Sequence, residues 1–339
     1  MSSRFRFVIQ GAGSVGSAIG GSLAAGGLDV TLVARKPHCD AIRRQGGLVL
    51  KTLSGERLQP VCAVEKISEV EFSDNSVIFQ TMKAHNTVES LGYLKVLSRS
   101  MPVVCWQNGI ENEEAVSRMF KNVYGGVVRF TATMASPGET RFAGTGKLIM
   151  GRYPEGMDDT ASQVCDALGR TSFSAILSTN IMQDKWLKLL VNLISCVKPM
   201  TKKAAGEPGK RVAICRNLLL EGIAVLTAAG ISALSTNGTE DSPEQMVQNF
   251  DQTLRLAEGV GQGMDLKNST WQSLYRRQKT LENDYYTGVI IRMSEETGVP
   301  APYNCSVLYW LHEMARREMG PESLDADAIV SKAAGFSSG

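Results

Sequence analysis

The first half of the chain alternates short apolar runs with segments of helical spacing. Residues 7–10 form an apolar run too short for a buried helix, and small and apolar residues at helical spacing follow from Ser14. A second predicted strand, residues 29–34, comes at the distance expected within a strand-helix-strand unit. The pattern therefore predicts an α/β domain that begins with a strand, a tight turn and a helix.

Strand patterns continue to about residue 177. Helical patterns cover residues 39–45 and 160–169, and further strands are predicted at 48–52, 60–64, 76–81, 102–106 and 174–177. Between residues 123 and 151, strand segments alternate with glycine-containing turns. We expect these segments to form the far, partly antiparallel edge of the same sheet, at residues 125–128, 132–134, 136–142 and 146–151.

Helical patterns dominate from residue 180 onward. They cover residues 182–194, 209–229, 243–258, 281–298 and 303–319. This change of pattern predicts two domains, an α/β domain at residues 1–179 and a helical domain at 180–331. Residues 332–339 are predicted to be a loose tail.

Composition and charge narrow the classes of partner. The chain has 339 residues and a formal net charge of +2, too small for a nucleic-acid surface. No apolar stretch reaches the length of a membrane span, and residues 1–6 lack a signal-peptide pattern. The seven cysteines are odd in number without Cys-x-x-Cys spacing, and the three histidines form no ligand pair. We expect a cytoplasmic monomer or homodimer with no metal, nucleic-acid or membrane partner.

The first turn carries the pattern Gly-x-Gly-x-x-Gly. Gly11 permits the sharp turn, Gly13 lets the backbone approach a pyrophosphate, and Gly16 lets the helix pack on the strand. The helix N-terminus offers N–H groups and the positive end of its dipole to phosphates. The pattern predicts a Rossmann domain whose dinucleotide contacts are Gly11, Ala12, Gly13, Ser14, Val15 and Gly16.

The end of the second strand indicates which dinucleotide binds. NAD sites usually place an acid there, whereas NADP sites place cations that bind the 2′-phosphate. This chain has Arg35 and Lys36 and no acid at that position. The sequence therefore favours NADP, although the two cations alone are also compatible with a solvated strand end.

Two polar residues follow predicted strands of the sheet. Lys83 comes after the strand at 76–81, and Asn108 comes after the strand at 102–106. Polar residues past the carboxyl ends of parallel strands face the crevice in which such sheets bind ligands. Both are site candidates, against the alternatives of a surface lysine and an Asn-Gly turn chosen for its conformation.

The helical domain carries a second set of candidates. Asp184, Lys188 and Asn192 are spaced by four and share one helix face. The hydroxyls of Ser269 and Thr270 suit a substrate carboxylate. Glu282 suits a substrate hydroxyl or a lysine, unless it only caps a helix.

Six motifs in the same order resemble those of the ketopantoate reductase (2-dehydropantoate 2-reductase) family, over nearly the whole chain. The glycine turn and Arg35 match the first two motifs of the family, and its Thr-x-Lys-Ala matches residues 81–84. Its other motifs are Gln-Asn-Gly, Trp-x-Lys-x-x-x-Asn and Thr-Glu-x-Asp-Tyr. They resemble residues 107–109, 186–192 and 280–285.

This resemblance implies NADPH as hydride donor and a small 2-oxo acid as substrate, above all ketopantoate, which the family reduces to pantoate in pantothenate biosynthesis. It implies that Lys188 donates a proton to the forming alkoxide and that Glu282 anchors the substrate hydroxyl. Asn192 and Ser269 would contact substrate, and Asn108 would lie beside the lysine and the cofactor.

Three departures from the family pattern fall on the substrate side. The chain is two residues longer before Pro199, residues 269–273 differ from the family's Ser-Met-x-Gln-Asp, and Leu281 precedes Glu282 as an insertion. Lys198, if it pointed inward, would favour a larger or more acidic 2-oxo acid. If it points outward, ketopantoate should still fit.

Three alternatives therefore remain open at this stage. Beside the reduction of ketopantoate, these are a reductase of another 2-oxo acid, an opine-type dehydrogenase, and a dinucleotide-sensing regulator without catalysis. The presence of Lys188, Asn108 and Glu282 together argues against the regulator.

Overall fold

The computed structural model describes residues 5–203, 207–258, 264 and 266–337. The chain divides into two compact units. Unit 1 contains residues 5–107 and 111–182, together with Met264 and Leu266. Unit 2 contains Asn108–Ile110 and the rest of the described chain from Gln183. Unit 1 is mixed α/β and unit 2 is mostly helical, which confirms the predicted fold class.

Twelve strands lie in the described part of unit 1. They are β1 (Arg6–Gln10), β2 (Asp29–Val33), β3 (Leu48–Thr52), β4 (Gly55–Gln59), β5 (Cys62–Val64), β6 (Ser76–Gln80), β7 (Val103–Cys105), β8 (Val123–Arg129), β9 (Ala132–Ser136), β10 (Glu139–Phe142), β11 (Lys147–Arg152) and β12 (Ser174–Leu177).

The helices follow in chain order. They are α1 (Ser14–Ala25), α2 (Lys36–Gln45), α3 (Thr87–Tyr93), α4 (Asn112–Ser117), α5 (Asp159–Leu168), α6 (Ile181–Ser195), α7 (Val197–Met200), α8 (Glu207–Ala228), α9 (Pro243–Gln248), α10 (Phe250–Ala257), α11 (Ser269–Tyr275), α12 (Thr287–Thr297), α13 (Pro302–Arg316) and α14 (Ala326–Ser337). Short 3₁₀ helices lie at Ile67–Glu69, Ala84–Asn86 and Glu282–Tyr285.

Eight strands form the main sheet of unit 1, in the order β12-β11-β8-β7-β6-β1-β2-β5. The six strands from β8 to β5 are parallel, and β11 runs antiparallel to β8. If these six are counted in chain order, their spatial order is 3-2-1-4-5-6, the order of dinucleotide-binding folds. The order reverses between β1 and β6.

The central strand β1 is buried on both faces. Phe7 and Ile9 belong to one hydrophobic cluster, whereas Val8 belongs to another, and all three side chains are fully buried. Since successive side chains of a strand point to opposite faces, an uninterrupted apolar run is what a parallel strand covered on both sides requires.

A second sheet of four strands has the order β4-β3-β10-β9. The expectation that residues 132–134 and 136–142 extend the main sheet is therefore wrong. Strand β10 instead pairs parallel to β3, with Glu139 opposite Val49. The second sheet covers α1, because a Cβ at Gly21 would lie 2.8 Å from a methyl of Leu50. Sequence alternation identifies strands but does not identify their partners, and this pairing joins distant segments.

Unit 2 is built around α6 and α8. Leu190 and Leu193 of α6 lie in its hydrophobic core, and a Cβ at Gly222 of α8 would lie 2.6 Å from Leu193 Cδ1. The absence of a side chain at Gly222 therefore lets the two helices approach closely.

Two long helical predictions in unit 2 are each interrupted. The pattern at 243–258 breaks at Asn249, whose ψ of 37° leaves the helical region, so it forms α9 and α10. The pattern at 281–298 breaks at Tyr286, with a φ of −140°, so a 3₁₀ helix precedes α12. Residues 269–275 form helix α11.

The predicted loose tail is wrong for residues 332–337, which belong to α14. Ala333 is buried in the core of unit 2, and the Lys332 ammonium lies 4.2 Å from the centre of the Tyr309 ring. These contacts hold the segment in place, and small residues such as Gly335 had masked its helical pattern. Residues 338–339 lie outside the described residues. Among the described helices, none is both long and apolar enough to span a membrane.

Candidate active site

The turn between β1 and α1 closes onto the ends of neighbouring strands. The N–H groups of Gly11 and Ala12 donate to Val33 O, at the end of β2, at 3.1 and 2.9 Å. Gly11 has a φ of +99°, and a Cβ there would lie 2.7 Å from Met82 N, so glycine is required. The turn lies where the strand order reverses, which is where α/β sheets bind ligands.

Gly13 and Gly16 have different surroundings. A Cβ at Gly16 would lie 2.5 Å from Thr81 Oγ1 and 2.8 Å from Gly11 O, so this glycine allows close packing of α1. At Gly13 the nearest atom to an added Cβ is Gly11 O, at 3.8 Å. Helix α1 begins at Ser14, and the preceding N-cap residue, Gly13, gives it no side-chain cap. An open approach to an uncapped helix N-terminus fits the pyrophosphate of a dinucleotide.

The other residues of the turn are engaged within unit 1. Ser14 Oγ accepts a hydrogen bond from Met134 N–H at 3.0 Å. Val15 packs against the hydrophobic core, and Ala12 is itself buried in it. These three residues therefore offer a dinucleotide their backbone rather than their side chains.

Arg35 and Lys36 are both exposed but differ in their partners. Lys36 Nζ lies 3.2 Å from Asp40 and 3.6 Å from Glu65. Within the described residues, the Arg35 side chain makes neither a hydrogen bond nor an ion pair. Of the two cations, Arg35 is thus the one available to a 2′-phosphate.

Lys83 follows β6 and precedes the 3₁₀ helix at Ala84–Asn86. Its side chain is half-buried. The pKa of His85 is lowered by burial and by the positive charge of Lys83. The structure places Lys83 past the carboxyl end of a central strand, in the same unit as the glycine turn.

In unit 2, Asn108 and Asn192 lie together. Asn192 Nδ2 donates to Asn108 Oδ1 at 3.3 Å. Gly109, with a φ of +87°, packs so closely that an added Cβ would lie 2.8 Å from Tyr285 O. The Asn-Gly turn therefore lies against the 3₁₀ helix that carries Glu282.

Lys188 and Asn192 share a face of α6, but Asp184 has a different role. Lys188 is half-buried and lies one turn before Asn192. The Asp184 carboxylate is buried and accepts from Thr236 N–H at 3.2 Å and from Thr236 Oγ1 at 2.8 Å. Asp184 thus fixes the segment after α8, which leaves Lys188 and Asn192 as the polar pair.

Glu282 and Ser269 begin two short helical segments. Glu282 is buried, with 8% of its surface exposed, as the first residue of its 3₁₀ helix. Ser269 is the half-buried first residue of α11. Asn268 caps this helix and donates to Ser195 O at 2.8 Å, at the end of α6. The start of α11 is therefore tied to the helix that carries Lys188 and Asn192.

Several buried polar residues had no signal in the sequence. Glu113 of α4 and Lys185 of α6 are charged residues that the structure buries. His38 is buried and hydrogen-bonded at both ring nitrogens. Tyr286 is buried beside Thr270, and burial raises its pKa well above the ordinary value. Single residues of this kind carry no periodicity, so only their packing reveals them.

Comparison with known proteins covers both units. The family model described as ketopantoate reductase PanE/ApbA matches residues 7–155, and the model of its C-terminal part matches residues 180–315. The 2-dehydropantoate 2-reductase of Pyrococcus horikoshii is 30% identical over 319 residues, which are 93% of this chain and 98% of the relative.

Solved structures show the same architecture. A ketopantoate reductase of the PanE/ApbA family from Ralstonia eutropha JMP134 superposes with a TM-score of 0.75 at 26% identity, covering 93% of this chain and 99% of that one. D-mandelate dehydrogenase, with NADH and anilino(oxo)acetate, superposes with a TM-score of 0.77 at 21% identity, covering 93% and 100%, and shows the fold alone. With both of its parts matched, this chain belongs to the ketopantoate reductase family of oxidoreductases, which use a nicotinamide dinucleotide.

Proposed function

We propose that this protein reduces 2-dehydropantoate (ketopantoate) to pantoate with NADPH, in the pantothenate biosynthesis of the cytoplasm. The observation that carries the proposal is the Asn108–Asn192 hydrogen bond one helical turn from Lys188. A regulator without catalysis has no need for a lysine and two asparagines in this arrangement.

The residues of unit 2 suit the charge changes of the reaction. Bound NADPH supplies a hydride to the carbonyl carbon, and negative charge then develops on the carbonyl oxygen. The Lys188 ammonium stabilises this charge and donates the proton. Asn192 and Ser269 donate hydrogen bonds to the substrate, and Glu282 accepts one from its primary hydroxyl.

The residues of unit 1 support NADPH over NADH. A guanidinium without a partner binds a phosphate dianion in a bidentate manner, whereas the same group gains little from a ribose hydroxyl. We assign the contact with the 2′-phosphate to Arg35, and we assign a supporting contact with the dinucleotide to Lys83.

The position of Lys198 supports ketopantoate over a more acidic substrate. Lys198 Nζ lies 3.0 Å from Glu258 Oε2, so its charge is balanced within unit 2. A dicarboxylic 2-oxo acid would need an unbalanced cation beside its second carboxylate. The extension before Pro199 therefore adds no positive charge to the substrate site.

The proposal is tested by following NADPH oxidation with a panel of 2-oxo acids. The panel contains ketopantoate, dicarboxylic acids and aromatic acids, each with and without an amino acid. Aromatic acids are included because Trp271 stacks on Tyr275 in α11, beside Ser269, with ring centres 5.0 Å apart.

We expect the highest specificity constant with ketopantoate. A site built to bond a hydroxyl rejects analogues that lack it by about 10⁴-fold in the best cases. A higher constant for another acid would move the assignment to that substrate. Turnover that requires an amino acid would indicate an opine-type dehydrogenase, and NADPH binding without turnover would indicate the regulator.

A further inference from the structure

His38 lies buried in the first turn of α2, and both of its ring nitrogens have partners. Gly138 N–H, in the turn between β9 and β10, donates to His38 Nδ1 at 2.8 Å. His38 Nε2 lies 3.1 Å from Ser17 Oγ of α1, and Ser17 Oγ donates to Ala12 O at 3.2 Å. A continuous path of hydrogen bonds thus joins the β9–β10 turn to the glycine turn.

The directions of these bonds define the protonation state. A backbone N–H can only donate, so His38 Nδ1 accepts and carries no proton. The proton of the neutral ring is therefore on Nε2 and is donated to Ser17 Oγ, which in turn donates to Ala12. A second proton, on Nδ1, would face the Gly138 N–H and break the path at its first bond.

Within the described part of the chain, no neighbouring charge raises the pKa of His38. Burial lowers the pKa of His38, with no contribution from a neighbouring charge. Helix α1 contains no charged residue, and the Cys39 thiol donates to Ala34 O and Val64 O. Most charged residues of the surrounding elements α2, β3 and β10 form ion pairs with one another. These pairs are Lys36–Asp40, Arg43–Asp40, Lys51–Glu139 and Arg141–Glu139. The remaining one, Arg44, donates to Asp40 O.

The β9–β10 segment holds the dinucleotide turn at a second point. Met134 N–H donates to Ser14 Oγ at 3.0 Å. Gly138 is itself fixed, since its carbonyl accepts from Val49 N–H at 2.9 Å and from Gln45 Nε2 at 2.8 Å. The second sheet is therefore a rigid support for the glycine turn, and His38 transmits that support to Ala12.

We propose that His38 is a positioning residue for cofactor binding, whose neutral imidazole holds the glycine turn in its dinucleotide-binding form and whose protonation weakens binding. This inference rests on the proposed dinucleotide site. It adds a pH dependence that none of the residues assigned to the cofactor would produce.

The test measures the dissociation constant of NADP⁺ by calorimetry between about pH 5 and about pH 8. The wild type is compared with His38→Gln, which keeps a donor for Ser17, with His38→Leu, which keeps no polar group, and with Ser17→Ala. The exposed His312, paired with Asp284 at 2.7 Å in unit 2, provides the control His312→Gln. The 2′-phosphate itself titrates near pH 6, but it does so equally in all variants. The difference between the profiles therefore reports His38.

We expect His38→Leu and Ser17→Ala to bind NADP⁺ about 10-fold more weakly at neutral pH, and His38→Gln to recover part of this loss. From neutral to acidic pH the wild type should lose about 5-fold more affinity than His38→Gln, while His312→Gln follows the wild type. Superimposable profiles, or variants that bind like the wild type, would overturn the proposal. A wild type that does not bind NADP⁺ would instead overturn the proposed function.

Discussion

At the scale of single residues, we expect the largest loss of activity from replacing Lys188. Replacement by alanine removes both the proton donor and the charge that stabilises the alkoxide, so kcat should fall about 10²-fold or more. NADPH affinity should hardly change, because the residues proposed to bind the pyrophosphate and the 2′-phosphate lie in unit 1. Steady-state kinetics with ketopantoate and a fluorescence titration with NADPH measure the two effects.

A matched control for this variant is Lys202→Ala. Lys202 is an exposed lysine of the same unit, paired with Asp325 at 2.9 Å. Its loss should leave kcat unchanged. Near-normal turnover of a folded Lys188→Ala would show that Lys188 is only a solvated helix residue.

Arg35 and Lys36 are adjacent cations that should contribute unequally. Arg35→Ala should weaken NADPH about 10-fold or more and leave NADH nearly unaffected, because only NADPH has the 2′-phosphate. Lys36→Ala should weaken NADPH binding less than Arg35→Ala does, since Lys36 already pairs with Asp40 and Glu65. The test is to measure the dissociation constants of NADPH and NADH for both variants. Equal losses of NADPH affinity from the two replacements would contradict the unequal contributions.

The candidate residues could be proposed from sequence because their motifs are local. The glycine turn is a run of six residues, and Lys188 and Asn192 are one helical turn apart. The buried states of Glu113, Lys185 and His38 could not be read in this way, because burial depends on segments distant in the chain. The partner of His38 across the β9–β10 turn, Gly138, is 100 residues away.

At the scale of elements, two glycines of the turn should have different roles, Gly13 in dinucleotide binding and Gly16 in the packing of α1. Gly13→Ala should leave the free energy of unfolding nearly unchanged, since the nearest atom to the new methyl lies 3.8 Å away, but it should weaken NADPH about 10-fold or more. Gly16→Ala should destabilise the fold by about 1–3 kcal/mol, because its methyl would lie 2.5 Å from Thr81 Oγ1. Denaturant unfolding and NADPH titration of the two variants give opposite patterns if this is correct. A large loss of stability in Gly13→Ala would contradict it.

The elements themselves show where sequence patterns are sufficient. Strands β1, β6 and β7 were predictable because buried parallel strands are short, continuous apolar runs. The separate sheet was not predictable, because β9 and β10 alternate as strands of either sheet would. The breaks at Asn249 and Tyr286 depend on tertiary packing, which periodicity within one segment does not report.

At the scale of the whole molecule, stability should fall at alkaline pH through Tyr124. Its hydroxyl donates to Asp158 at 2.9 Å, and burial together with this bond raises the pKa of Tyr124 to about 12. Asp158 also pairs with Arg152 and caps α5. Because the pKa is higher in the folded state than in the unfolded chain, the stabilisation is complete below about pH 10 and is lost as pH rises towards 12.

The measurement is the free energy of unfolding of the wild type and Tyr124→Phe between neutral pH and about pH 12. The variant should be less stable by about 1 kcal/mol at neutral pH, because it lacks the hydrogen bond, and should lose less stability at alkaline pH. Tyr275→Phe, at a tyrosine that is 65% exposed, should keep the slope of the wild type. Parallel curves for the wild type and Tyr124→Phe would show that Tyr124 does not titrate in this range.

The support that the second sheet gives to the glycine turn also has a consequence for the order of events during synthesis. The glycine turn is synthesised before β9 and β10, yet Ser14 is joined to Met134, and β3 is joined to β10. Pairings this distant in sequence form slowly and only when both segments are present. The glycine turn therefore reaches its final form only after translation has passed Phe142, and we expect a nascent chain to bind a dinucleotide only once its second sheet is complete.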